Sequence, residues 1–119
     1  MRQAFAHDAV LEMEPDADLQ APGGAVTAAL CGHWDHEPPC TVAPHHGRAD
    51  RHGSEVHVRI LFAVEPGMEA AIRQSIESAL AKGLLQGPDG VVTRWQLRGS
   101  RHSEVRAEEM DHAERLIRT

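Results

Sequence analysis

Glu55-Val-His-Val-Arg-Ile-Leu-Phe-Ala-Val-Glu65, with Pro66-Gly-Met-Glu-Ala-Ala-Ile-Arg-Gln-Ser-Ile-Glu-Ser-Ala-Leu-Ala-Lys-Gly83 behind it, decides the fold. In the first stretch Val56, Val58, Ile60, Phe62 and Val64 alternate with Glu55, His57, Arg59 and Glu65, the two-residue period of a strand. In the second, Met68, Ile72, Ile76, Ala79 and Leu80 recur every three or four residues, the stripe of an amphipathic helix. Pro66-Gly67 opens that helix, and Gly83 stands where a helix passes into the left-handed region. Gly87-Pro88-Asp89-Gly90 makes a turn. Val91 to Arg98 then reads as a strand with Val91, Thr93, Trp95 and Leu97 inward. A strand–helix–strand unit crosses over right-handed, which makes its two strands parallel if they share a sheet.

Working outward, residues 4–14 predict another strand. Phe5, Ala9, Leu11 and Met13 share one face, Asp8, Glu12 and Glu14 the other, and His7 interrupts the apolar side. Pro15 to Gly24 is rich in breakers and reads as a connection. Ala25 to His33, introduced by Gly23-Gly24, reads as a short small-residue strand. From Asp35 to Gly53 no periodicity survives Pro38, Pro39, Pro44 and Gly47, so a long loop is expected there. Ser103 is expected to cap a last helix containing Val105, Met110, Ala113, Leu116 and Ile117. The expected class is α+β in the order β-β-β-α-β-α, as one domain over residues 1–119. Its mixed four-stranded sheet would carry helices on one face, with the other face polar or in a dimer interface. A His/Cys/Pro-rich loop, 31–53, would follow the second strand.

Composition narrows the function. The chain has 119 residues, a net charge of −6 and 41% apolar residues, enough for a modest core. Its only large aromatics are Phe5, Trp34, Phe62 and Trp95, so Val, Leu, Ile, Ala and Met must fill that core. The acidic balance disfavours nucleic acid, whose phosphates need a basic face. The sequence has no apolar run long enough to cross a membrane and no apolar leader segment, which makes the cytoplasm the expected location.

Both cysteines and four of the nine histidines fall between Cys31 and His46: Cys31, His33, His36, Cys40, His45 and His46. Thiolate and imidazole are the best protein ligands for zinc and for copper(I), and in a reducing compartment paired cysteines serve as ligands more often than as a lasting disulfide. The prolines allow short arms to fold about one ion. Cys31, His36, Cys40 and either His45 or His46 would make a Cys₂His₂ set, with His33 in support. Zinc is the first expectation and copper the second. The spacing is not that of zinc fingers. A solvated loop with two ordinary thiols, or a Cys31–Cys40 redox pair, would also account for it.

Cys31-Gly-His33-Trp-Asp35-His36 is similar to the His-x-His-x-Asp-His element of metallo-β-lactamase-fold hydrolases, with Cys31 in the first histidine's place. The likeness covers six residues. The chain is too short for that two-sheet fold, and nothing later supplies the remaining ligands. The reading is therefore a small metal-binding protein. The alternatives are a metal- or thiol-dependent enzyme using Asp35 or Glu37 as base, and a metal-free domain that dimerises through its sheet.

Overall fold

The computed structural model describes residues 1–31 and 43–119, Cys31 by its backbone alone. The protein is an α+β fold with a four-stranded antiparallel sheet and three helices. In chain order the elements are β1 (Gln3–Glu12), α1 (Ala21–Cys31), β2 (His45–His52), β3 (Glu55–Val64) and α2 (Glu69–Lys82). They continue with a short hairpin of β4 (Leu84–Gln86) and β5 (Val92–Arg94), then β6 (Gln96–Ser103) and α3 (Met110–Ile117). The sheet order is β2-β3-β1-β6. Without the hairpin and α3 this is a β-α-β-β-α-β chain, two interleaved βαβ units.

Several expectations are corrected. The sheet is antiparallel rather than mixed. β3 and β6 run the same way, but β1 lies between them, antiparallel to both. The strand expected over 91–98 is split at Trp95 into β5 and β6. Trp95 leaves the ladder because its backbone N–H donates to the Gly83 carbonyl at 2.9 Å and its indole N–H to the Leu80 carbonyl at 2.8 Å. Its side chain is buried in the core, as its parity predicts. Ser103 ends β6 instead of capping a helix, and α3 is preceded by a 3₁₀ turn over Ala107–Glu109.

The segment expected as a second strand is α1. Pro22 sits in its first turn, where a missing N–H costs nothing, and the Asp18 carbonyl receives the Ala21 N–H at 3.2 Å. Ala21, Ala25, Val26 and Leu30 turn inward at helical spacing. The helix can lie close on the sheet because small residues meet there. A Cβ on Gly47 would stand 3.9 Å from the Gly23 Cα and 3.1 Å from Ile60 Cδ1. Part of the expected loop is likewise a strand: 45–52 pairs with β3 along its whole length. Gly53, at φ +67°, occupies the first position of the two-residue loop joining them.

Leu11, Val56, Val58, Ile60 and Phe62 face α1 and α2 and form the main core with Val26, Leu30, Ile76 and Leu80. The opposite face is not bare. It carries Ala6 and Leu61, and α3 lies on it with Ala113 buried. Helices therefore flank both faces, not one. Among the described residues no helix is long and apolar enough to cross a membrane.

Candidate functional site

The segment that concentrates thiols and imidazoles joins α1 to β2. Cys31 is the last residue of α1, and the chain is described again at Ala43 and Pro44, both buried. The Pro44 carbonyl accepts the Ala63 N–H at 2.9 Å, which fixes the entry into β2. His33, Trp34, Asp35, His36, Glu37 and Cys40 lie outside the described residues. The anchors of the segment are thus the C-terminal end of α1 and the first residues of an edge strand. Unpaired carbonyls give a helix C-terminus partial negative charge, which favours a cation.

His45 and His46 point to opposite sides of the sheet, as successive strand residues must. His45 is opposite Phe62 in the register and turns toward α1. Its Nδ1 is 2.9 Å from the Ala43 carbonyl, which can only accept, so Nδ1 carries the proton. Nε2 then carries the lone pair, and it accepts from Thr27 Oγ1 at 2.8 Å. A carbonyl that pins Nδ1–H fixes the tautomer with the lone pair on Nε2, the form in which an imidazole can ligate, and here Thr27 holds that lone pair. Thr27 stands four residues before Cys31 in the helix.

His46 is opposite Leu61 and turns toward α3, where its ring lies against that of His112, centroids 4.4 Å apart. Desolvation lowers its pKa, with His112, Arg48 and His45 adding to the effect. Among the described residues no three histidine, cysteine or carboxylate groups stand together as an ion's ligands.

A second cluster was not foreseen as such. His7 interrupts the apolar face of β1 and is buried at 1% exposure. Arg73, equally buried on α2, donates through Nη1 to His7 Nδ1 at 3.1 Å and to the Ala6 carbonyl at 2.6 Å, while its Nε meets Glu69 at 2.8 Å. The guanidinium packs over Phe62, 5.3 Å from the ring centre. Because a guanidinium only donates, His7 Nδ1 must accept and the proton sits on Nε2. Nε2–H then donates to Ser100 Oγ at 2.6 Å. Burial and, second, Arg73 hold the His7 pKa below its ordinary value. The pair resembles a serine–base dyad in its contact but not in its protonation. A base must take the hydroxyl proton at Nε2, and here Nε2 already holds one. His7 is a neutral strut between strand and helix.

Arg59 is the counterpart on the other face. It grips Glu109 with two bonds of 2.7 and 2.8 Å, Asp8 at 2.9 Å, Ser103 at 3.0 Å and the Glu104 carbonyl at 2.7 Å. The bond from Arg59 pushes the Glu109 carboxyl down to about 2 and raises the pKa of the guanidinium itself. Its two bonds to Glu109 hold down the start of α3, while those to Asp8 and Ser103 tie it to β1 and β6. A hollow of about 750 Å³ between α1, α2 and β4 is lined by alanines, Ser75, Ser78, Gln74, Lys82 and leucines. It carries no carboxylate, imidazole or thiol. No family model matches the chain, and no curated protein or solved structure matches it significantly.

Proposed function

We propose that this chain is a small transition-metal-binding protein. It holds zinc, or copper in second place, with the thiols and imidazoles of its 31–46 segment. The observation that carries this reading is His45. Its Nδ1–H is tied to the Ala43 carbonyl, which places the lone pair on Nε2 where it now accepts from Thr27 of α1, four residues before Cys31; an ion there would take the place of the Thr27 hydroxyl. That favours His45 over His46 as the fourth ligand beside Cys31, His36 and Cys40, with His33 in support. Such an ion would close the α1–β2 connection over itself, with a structural role or one in holding and passing on the metal. Bound zinc or copper supplies the cross-link; the chain supplies deprotonated thiols, a neutral imidazole of set tautomer and a helix end that favours a cation.

A metal-free domain that pairs with a second copy is the rival reading. With helices on both faces, such pairing would run along an edge of the sheet, β2 or β6. The two readings separate on zinc competition against a chromophoric chelator, comparing the wild-type chain with Cys31→Ser and His45→Ala. We expect each variant to lose at least about tenfold in zinc affinity. Equal affinities in all three proteins would remove the reading.

A further inference from the structure

We infer that His46 and His112 form a second transition-metal contact, an imidazole pair that clips α3 to the edge of the sheet on the face away from His45. The two residues are 66 positions apart, and the fold brings them together. His46 stands near the start of edge strand β2, and His112 lies in α3. Their ring centroids are 4.4 Å apart, with planes at 56°. Rings so placed can each turn a nitrogen to one ion, whose two bonds of about 2.0–2.1 Å set the nitrogens roughly 3.3 Å apart.

The competing reading of His112, a surface partner for Glu108 one turn earlier, leaves unexplained why it meets His46. The other close imidazole pair, His52 and His57 at 4.5 Å, differs in kind. It belongs to a single hairpin, and His57 already has Glu55 at 3.4 Å as a partner. His112 is half-buried, and among the described residues no arginine or carboxylate forms an ion pair with either ring of the His46–His112 couple. Imidazole nitrogens suit zinc, copper(II) and nickel(II). Since no third described side chain joins the pair, water completes the ion's coordination. A divalent ion here adds a bridge between α3 and β2 that the unfolded chain cannot make, so it stabilises the folded state.

The inference shares His46 with the wider ligand set considered from the sequence, but it does not depend on the thiols, and its test keeps the two apart. The full chain carrying Cys31→Ser, His33→Gln, His36→Gln, Cys40→Ser and His45→Gln, which removes the first site's other ligands, is titrated with Ni²⁺ while the remaining imidazole resonances are followed by NMR. The resonances of His46 and His112 should broaden together and ahead of those of His52 and His57. Adding His112→Gln should weaken Ni²⁺ binding at least about tenfold, whereas His57→Ala should leave it within about twofold. Simultaneous broadening of all the histidines, or unchanged binding in His112→Gln, would overturn the proposal. If that variant does not fold, the same titration on zinc-loaded wild-type chain reads the same two outcomes.

Discussion

At the scale of single residues, the buried cations govern what the site regions can do. Arg73 satisfies a carbonyl, a carboxylate and an imidazole nitrogen in one place, two of them in the interior. Arg73→Met would keep much of the volume and leave all three without their donor. We expect a loss of about 2–4 kcal/mol in urea unfolding. A change below about 0.5 kcal/mol, the size of an ordinary surface substitution, would mean that the network is incidental. The same network sets a pH dependence. His7 takes up a proton near its ordinary 6.5 in the unfolded chain but only at lower pH when folded. In the window between those values the unfolded state binds more protons, so stability is full above about pH 6.5 and falls as pH drops through the folded value. Replacing His7 with Gln should flatten that part of a stability–pH curve. Some of this was visible in the sequence: His7 stands out as a polar interruption in an apolar face. Its partner was not visible, because Arg73 sits beside the α2 stripe and nothing in the spacing says which way a long side chain turns. His45 and His46 were both legible as candidates. Which one turns toward α1 was not, because their segment reads as loop, and only strand pairing assigns them to opposite faces.

At the scale of elements, α3 is the part whose attachment rests most on charge. The Glu109 carboxyl, held at about 2, begins to lose its advantage as the pH falls below its ordinary 4.5. A folded value depressed by this amount contributes about 3 kcal/mol near neutrality, lost progressively between those two values. The protection of α3 amides against exchange, taken relative to the unfolded chain at each pH, should therefore fall toward pH 3 ahead of that of β1 and β3. A uniform loss of protection across the fold would show that α3 does not open separately. In α1, the Cβ position of Gly23 meets nothing within 4 Å, so Gly23→Ala should raise stability by about 0.5–1 kcal/mol through the unfolded chain. A loss instead would mean that the approach of α1 to Gly47 is tighter than its geometry shows.

The elements that periodicity identified are those with one buried face, β1, β3 and α2. Gly83, at φ +73°, ends α2 as its position predicts. The elements it missed lack that contrast. α1 is built of alanine and glycine, with Val26, Ala28 and Leu30 mimicking strand alternation and Pro22-Gly23-Gly24 resembling a stop. β2, His-His-Gly-Arg-Ala-Asp-Arg-His, is an edge strand largely exposed on its polar positions, so no apolar rhythm marks it.

At the scale of the whole molecule, the chain presents two helix-covered faces, a deep apolar core, and one connection in which its thiols and many of its imidazoles are gathered. Among the described residues outside that connection, every donor nitrogen of Arg59 is engaged, Arg73 braces His7, and His7 is in the wrong tautomer for a base. The central claim is that a metal ion is held between the end of α1 and the start of β2. Elemental mass spectrometry on untagged protein, purified without chelator, with free thiols counted on the same sample, tests it most directly. The account predicts a bound zinc or copper ion together with both thiols, Cys31 and Cys40, protected until the metal is stripped. Metal-free protein with both thiols freely reactive would contradict it.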